Sequence, residues 1–187
     1  MIYRRAISDL AVAERTLSGL LIPYEQRSAV ILDRHGLYTE TIARGAFDAS
    51  LALPSWAFYF HNPASHLPLG RSGANMNLRA SPEGIHFDLT LPSTTLGNDV
   101  LELLRAGVLT GAVSAGYNAP ASQVVWEGSA TPRHRRVLGG SIKELSIVPA
   151  GAFPQATSQL LDPEGKWRER KWQARKGMAN ADSQGTP

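Results

Sequence analysis

Along residues 84–92, GIHFDLTLP, apolar and polar positions alternate: Ile85, Phe87, Leu89 and Leu91 fall on one face, His86, Asp88 and Thr90 on the other. A period of two predicts a half-buried β-strand. Leu17 to Ile22 is a second strand-like apolar stretch, stopped by Pro23. Phe58, Tyr59 and Phe60 form a third, rich in the aromatic side chains that strands favour, and Asn62-Pro63 breaks it. Residues 25–42 predict a loop or hairpin arm around Gly36, and Gly45 precedes a short segment with helical character. TGAVSAGYNAP reads as a strand ended by Pro120, and SQVVWEG and RRVLGGSIKELSIVP supply more. Only TTLGNDVLELLRAGVLTG has a helical period: Val100, Leu101, Leu103 and Leu104 make its apolar side, Asn98 is the expected cap and Gly107 the expected stop. Many short strands and few helices predict a β-barrel or β-rich α+β domain. The absence of a strand–helix alternation excludes a doubly wound sheet.

The chain has 187 residues, 43% of them hydrophobic, which suffices for one domain with a sizeable core. Its lack of cysteine excludes disulfides, thiolate metal sites and a cysteine nucleophile. Asp9 and Glu14 interrupt the N-terminal segment, so neither a signal peptide nor a membrane span is expected there. The net charge of +3 suggests nucleic acid until it is placed. Residues 1–160 carry 13 Lys and Arg against 12 Asp and Glu, and residues 161–187 carry 6 against 4. A near-neutral body lacks the basic face of a nucleic-acid module. The polar, charged stretch 161–187 predicts a flexible extension beyond a folded unit of residues 1–160.

Five histidines are candidate acid–base groups: His35, His61, His66, His86 and His134. His61 stands where a strand ends and a loop begins, a place where reactive side chains are often held, or where a histidine merely caps a sheet edge. His61 and His66 are five apart with Pro63 between them, which is not the spacing of a helical zinc pair, so no metal or other cofactor is expected. Among serines, Ser114 sits in a strand with the small neighbours Ala112, Ala115 and Gly116. A hydrolase elbow would lead into a helix, and here Asn118-Ala119-Pro120 follows, so an α/β-hydrolase is excluded. Glu144 lies in the apolar stretch IKELSIVPA; strict alternation puts it on one face with Ile142 and Ser146, and Leu145 and Ile147 on the other. A carboxylate there either pairs with a partner or sits exposed beside Lys143.

Four blocks in order, GLLIPYEQRS with LYTETIARGAFDASL, FHNPASHLPLGR, GVLTGAVSAGY and IKELSIVPAGAFPQA, resemble the prohead (capsid maturation) serine protease family of tailed phages over roughly residues 3–160. Two positions depart from the family's common pattern, Asn62 where Asp is frequent and Ala115 where Ile is frequent. Neither removes a reacting group. The resemblance implies a single-domain β-barrel surrounded by a few helices, like the herpesvirus capsid assembly protease. It implies His61 as general base and Ser114 as nucleophile, with Glu144 orienting the histidine and His66 or His134 as competitors for that role. Backbone N–H groups near Ser114, or Arg133, Arg135 or Arg136, would serve the oxyanion. The implied substrate is the major capsid protein with its scaffold segment, cut inside the procapsid in the bacterial cytoplasm, with self-cleavage of the extension. Nucleic acid and membrane are not expected partners; self-association is left open. The alternative is a non-catalytic assembly protein of the same fold that binds scaffold or capsid chains.

Overall fold

The computed structural model describes residues 15–64, 67–129 and 131–161. Twelve strands form three four-stranded sheets. The first sheet contains β1 (Thr16–Pro23), β6 (Met76–Ala80), β7 (Gly84–Thr90) and β12 (Thr157–Leu160), in the order β12-β1-β7-β6. The second contains β2 (Ile31–Asp33), β3 (Gly36–Ile42), β9 (Val124–Glu127) and β10 (Arg133–Val137), in the order β2-β3-β10-β9. The third contains β4 (Trp56–Tyr59), β5 (Gly70–Arg71), β8 (Val113–Asn118) and β11 (Ser141–Ile147), in the order β5-β4-β11-β8. Most pairs are antiparallel; β3–β10 and β4–β11 are parallel.

The expected β-rich class is found. The expected closed barrel and ring of helices are not. The ladders stop at the sheet edges, and one α-helix, α1 (Thr95–Arg105), stands among the described residues. A closed barrel needs the edge strands of a sheet to pair with one another, and among the described residues β12, β6, β2, β9, β5 and β8 each have a ladder on one side alone. Among the described residues two isolated bridges, Ser72 to Met76 and Ala112 to Thr157, join the margins of the third sheet to the first.

The alternating strand at residues 84–90 folds as predicted, with Ile85, Phe87 and Leu89 fully buried. The hairpin about Gly36 is also present, as β2 paired antiparallel with β3. After Gly45 the chain makes one 3-10 turn, Asp48–Ser50. Helix α1 buries Val100, Leu101 and Leu104 and leaves Leu103 half-buried. Its cap is Thr94, whose Oγ1 accepts from Gly97 N–H at 3.2 Å. Asn98 lies inside the helix and accepts from the Arg15 guanidinium at 2.9 Å, which corrects the expected cap. Thr and Asn are both good caps, and the hydrophobic period alone does not choose between them. Gly107, at φ 75°, ends the helix as expected.

The buried Phe47 packs on Tyr117 of β8 at a ring distance of 4.9 Å, and the Tyr117 hydroxyl donates to the buried Glu40 carboxylate of β3. The N-terminal block thereby holds the strand that carries Ser114. No helix among the described residues is long and apolar enough to cross a membrane.

Candidate active site

Strand β11 lies within the third sheet, with β4 on one side and β8 on the other. Cross-strand partners share a face. Ser146 stands opposite Phe58 on β4 and Ser114 on β8, and Glu144 opposite Trp56 and Gly116. Ser114, Ser146 and Glu144 therefore project to one side of the sheet, while Ala57 and Leu145 face the core. Ile142 is not on the face expected for it. A bulge between Ile142 and Glu144 sets two β11 residues against one β8 step, so Ile142 turns into the core opposite Tyr117. Bulges re-aim side chains in this way.

His61 lies just past the end of β4, where the Phe60 N–H still bonds to Ile147 O at 3.1 Å. Phe60 and His61 are consecutive non-glycine residues in the left-handed region, at φ 59° and 52°. Such backbone is costly and persists where surroundings hold it. Here Ser146 Oγ accepts from His61 N–H at 3.2 Å. The turn brings the imidazole back over the sheet, and His61 Nδ1 hydrogen-bonds Glu144 Oε1. Ser146 Oγ also donates to that oxygen at 3.4 Å.

Glu144 is thus neither exposed beside Lys143 nor unpartnered. Its side chain is 17% exposed and that of His61 is 40%. A carboxylate on Nδ1 makes that nitrogen the donor, which leaves the Nε2 lone pair as the acceptor. An imidazole held this way can take a proton at Nε2 and return it. The hydroxyl on the same face, one strand spacing of about 4.8 Å beyond β11, is that of Ser114. Among the described residues no hydrogen bond joins Ser114 Oγ to His61. Between a base and its nucleophile this contact commonly tightens only when substrate is bound. A small apolar cavity of about 50 Å³ lies beside Ser114, walled by Leu21, Phe153 and Ala156.

Two contributors escaped the sequence reading. Ser146 grips both the His61 backbone and Glu144; its signal was the two-residue spacing from Glu144, which places both on one face. Gly116 was read as generic space beside a hydroxyl. A Cβ on it would stand 2.4 Å from Glu144 Cγ and 3.0 Å from Oε1, so the glycine is the bed on which this carboxylate lies.

Of the two competitors, one is placed elsewhere among the described residues. His134 is on β10, its Nδ1 3.0 Å from Thr39 Oγ1, and burial with the nearby Arg27 charge lowers its pKa. His66 lies outside the described residues. The His35 ring lies tilted against Trp126 at 5.8 Å, and His86 is on β7. The three arginines expected as oxyanion candidates are in strand β10, and each has a partner there. Arg136 grips Glu25 with two bonds of 2.7 and 2.9 Å. Arg135 pairs with Glu40 at 3.2 Å, and Arg133 stacks over Trp126 at 4.7 Å.

No curated protein and no solved structure matched the chain. The family model of the Caudovirus prohead serine proteases matches residues 4–167, and with so much of the chain covered, this protein belongs to that family.

Proposed function

We propose that the chain is the serine endopeptidase that removes scaffold segments from the major capsid protein within the assembling procapsid. The observation that carries this reading is the His61–Glu144 hydrogen bond, formed on the sheet face that also bears Ser114. In the proposed cycle, His61 Nε2 takes the Ser114 proton as Oγ attacks the scissile carbonyl. The imidazolium formed is stabilised by the Glu144 carboxylate. Backbone N–H groups near Ser114 hold the oxyanion, and His61 passes its proton to the departing amine. Water, activated by the same nitrogen, then releases the acyl group from Ser114. Glu144 fixes the tautomer and orientation of the ring, and Ser146 fixes the backbone that presents it.

The proposal extends to self-processing within residues 162–187, which lie outside the described residues, and to kinship with the herpesvirus assembly protease despite the open sheets. The near-neutral body supports a protein substrate over nucleic acid.

Co-expression with a major capsid protein that carries its scaffold segment tests the reading. Intact-mass measurement should show a shortened capsid protein with the wild type and a full-length one with Ser114→Ala. It should also show wild-type chain losing C-terminal residues while Ser114→Ala stays whole. Capsid protein that stays intact with both, yet co-purifies with the chain, would establish the non-catalytic assembly role instead.

A further inference from the structure

A groove of about 860 Å³ opens beside the candidate site, walled by Trp56, Leu67, Leu69, Leu91 and Pro92, with Arg71 at its rim. It is continuous with the site through the sheet. Arg71 on β5 stands opposite Trp56 on β4, Trp56 opposite Glu144, and Glu144 opposite Gly116. These four positions form one row across the face that carries Ser114. The chain leaving His61 reaches the groove at Leu67. Trp56 is 43% exposed and Leu67 76%, although both are large and apolar. An aromatic and a leucine left open beside a reactive site mark a surface that something covers.

The charge of the groove narrows the occupant. Two cations and no carboxylate are among its described lining residues. Arg15 is fixed there, donating to the carbonyls of Leu91 and Pro92 at 3.0 and 2.6 Å and to Asn98 Oδ1 at 2.9 Å. Among the described residues no carboxylate pairs with the Arg71 guanidinium. A complementary ligand is apolar with an adjoining negative charge.

We propose that this groove is a remote substrate subsite that anchors a large apolar side chain flanked by Asp or Glu, with Trp56 and Arg71 as its specificity-determining residues. The inference rests on the protease reading above and adds to it where, and by what chemistry, the polypeptide is recognised. Strand spacing sets the reach. From β8 to β4 is about 10 Å and from β8 to β5 about 14 Å, and an extended chain advances about 3.3 Å per residue. The anchor therefore lies three to four residues from the scissile bond. Binding energy from such a remote residue can be used to align the bond that is cut.

The test is cleavage of a diverse library of 14-residue peptides, with cut sites read by mass spectrometry. Wild type, Trp56→Ala and Arg71→Glu are compared, with thermal unfolding of each variant recorded. Wild-type cut sites should be enriched in Leu, Ile, Met or Phe beside Asp or Glu, three to four residues from the cut on one side. Trp56→Ala should lower kcat/KM for anchored peptides about tenfold relative to unanchored ones. Arg71→Glu should exchange the acidic preference for a basic one. Cutting without such enrichment overturns the subsite, as does a preference that both variants retain. So does a wild type that reacts with a serine-directed fluorophosphonate yet cuts no library peptide. A Trp56→Ala variant with altered oligomeric state and unaltered preference assigns the groove to a second copy of the chain and equally overturns it. A wild type that neither cuts nor reacts removes the protease reading itself.

Discussion

At the scale of residues, Ser146 and Gly116 support the His61–Glu144 pair that we propose acts on Ser114. His61, Ser114 and Glu144 were visible because each combines a reactive type with a sharp local context: a strand end, a run of small residues and an apolar strand. What the sequence hides is distance, since His61 and Glu144 are 83 positions apart and meet only through a parallel strand pair. Gly116 shows the cost of that blindness, because its neighbour is a side chain from another strand. Gly116→Ala would push its Cβ into Glu144, displacing the carboxylate from His61. A displacement of about 1 Å in a catalytic constellation can cost about 10²-fold. The variant should therefore stay folded and lose about that factor in kcat, measured on any peptide the wild type cuts. Full activity in Gly116→Ala would show that Glu144 does not orient the histidine. Ser146→Ala should free the left-handed His61 backbone and lower kcat in the same direction.

At the scale of elements, strand positions followed from alternation and from Pro and Gly stops, whereas the irregularities did not. Strict alternation placed Ile142 with Glu144; the β11 bulge moves it to the core, and nothing in IKELSIV marks which residue is extra. The helix shows a similar limit. Its apolar stripe was legible, but its cap depends on where the chain enters, and that is set by Pro92 and the Arg15 contacts from β1's leading edge. Thr94→Ala should cost about 1 kcal/mol through loss of the cap bond to Gly97 N–H. For a chain of this size that is a fall of about 2–4 °C in Tm. Asn98→Ala, which removes only an exposed contact with Arg15, should cost less. The reverse order in a thermal-unfolding comparison would restore Asn98 as the cap.

At the scale of the whole molecule, three short sheets are tied together by a few buried polar links that composition does not reveal. Tyr117 of the third sheet donates to Glu40 of the second, where Arg135 stands 3.2 Å away. Burial raises the Glu40 pKa above its ordinary 4.5, against the lowering effects of the Tyr117 bond and the Arg135 charge. A carboxyl with a raised folded pKa contributes stability that is complete below its unfolded value and is lost as pH rises through the folded one. Glu40→Gln cannot ionise and still offers an acceptor to Tyr117. The Tm of Glu40→Gln minus that of the wild type should therefore grow as pH rises from 4.5 toward neutrality. Glu25, held low by the Arg136 hydrogen bonds, has the opposite slope, but it is common to both proteins and cancels. A constant or shrinking difference would mean that Arg135 fully offsets the burial. The most direct measurement on the intact protein is its rate of reaction with a fluorophosphonate, followed by intact mass and peptide mapping. The wild type should gain one adduct, on Ser114. Ser114→Ala and the Ser114→Ala/His61→Ala double variant should gain none, and His61→Ala should react at Ser114 several orders of magnitude more slowly than the wild type. An adduct on another serine, or equal rates in wild type and His61→Ala, would contradict the assignment of Ser114 as nucleophile and His61 as its base.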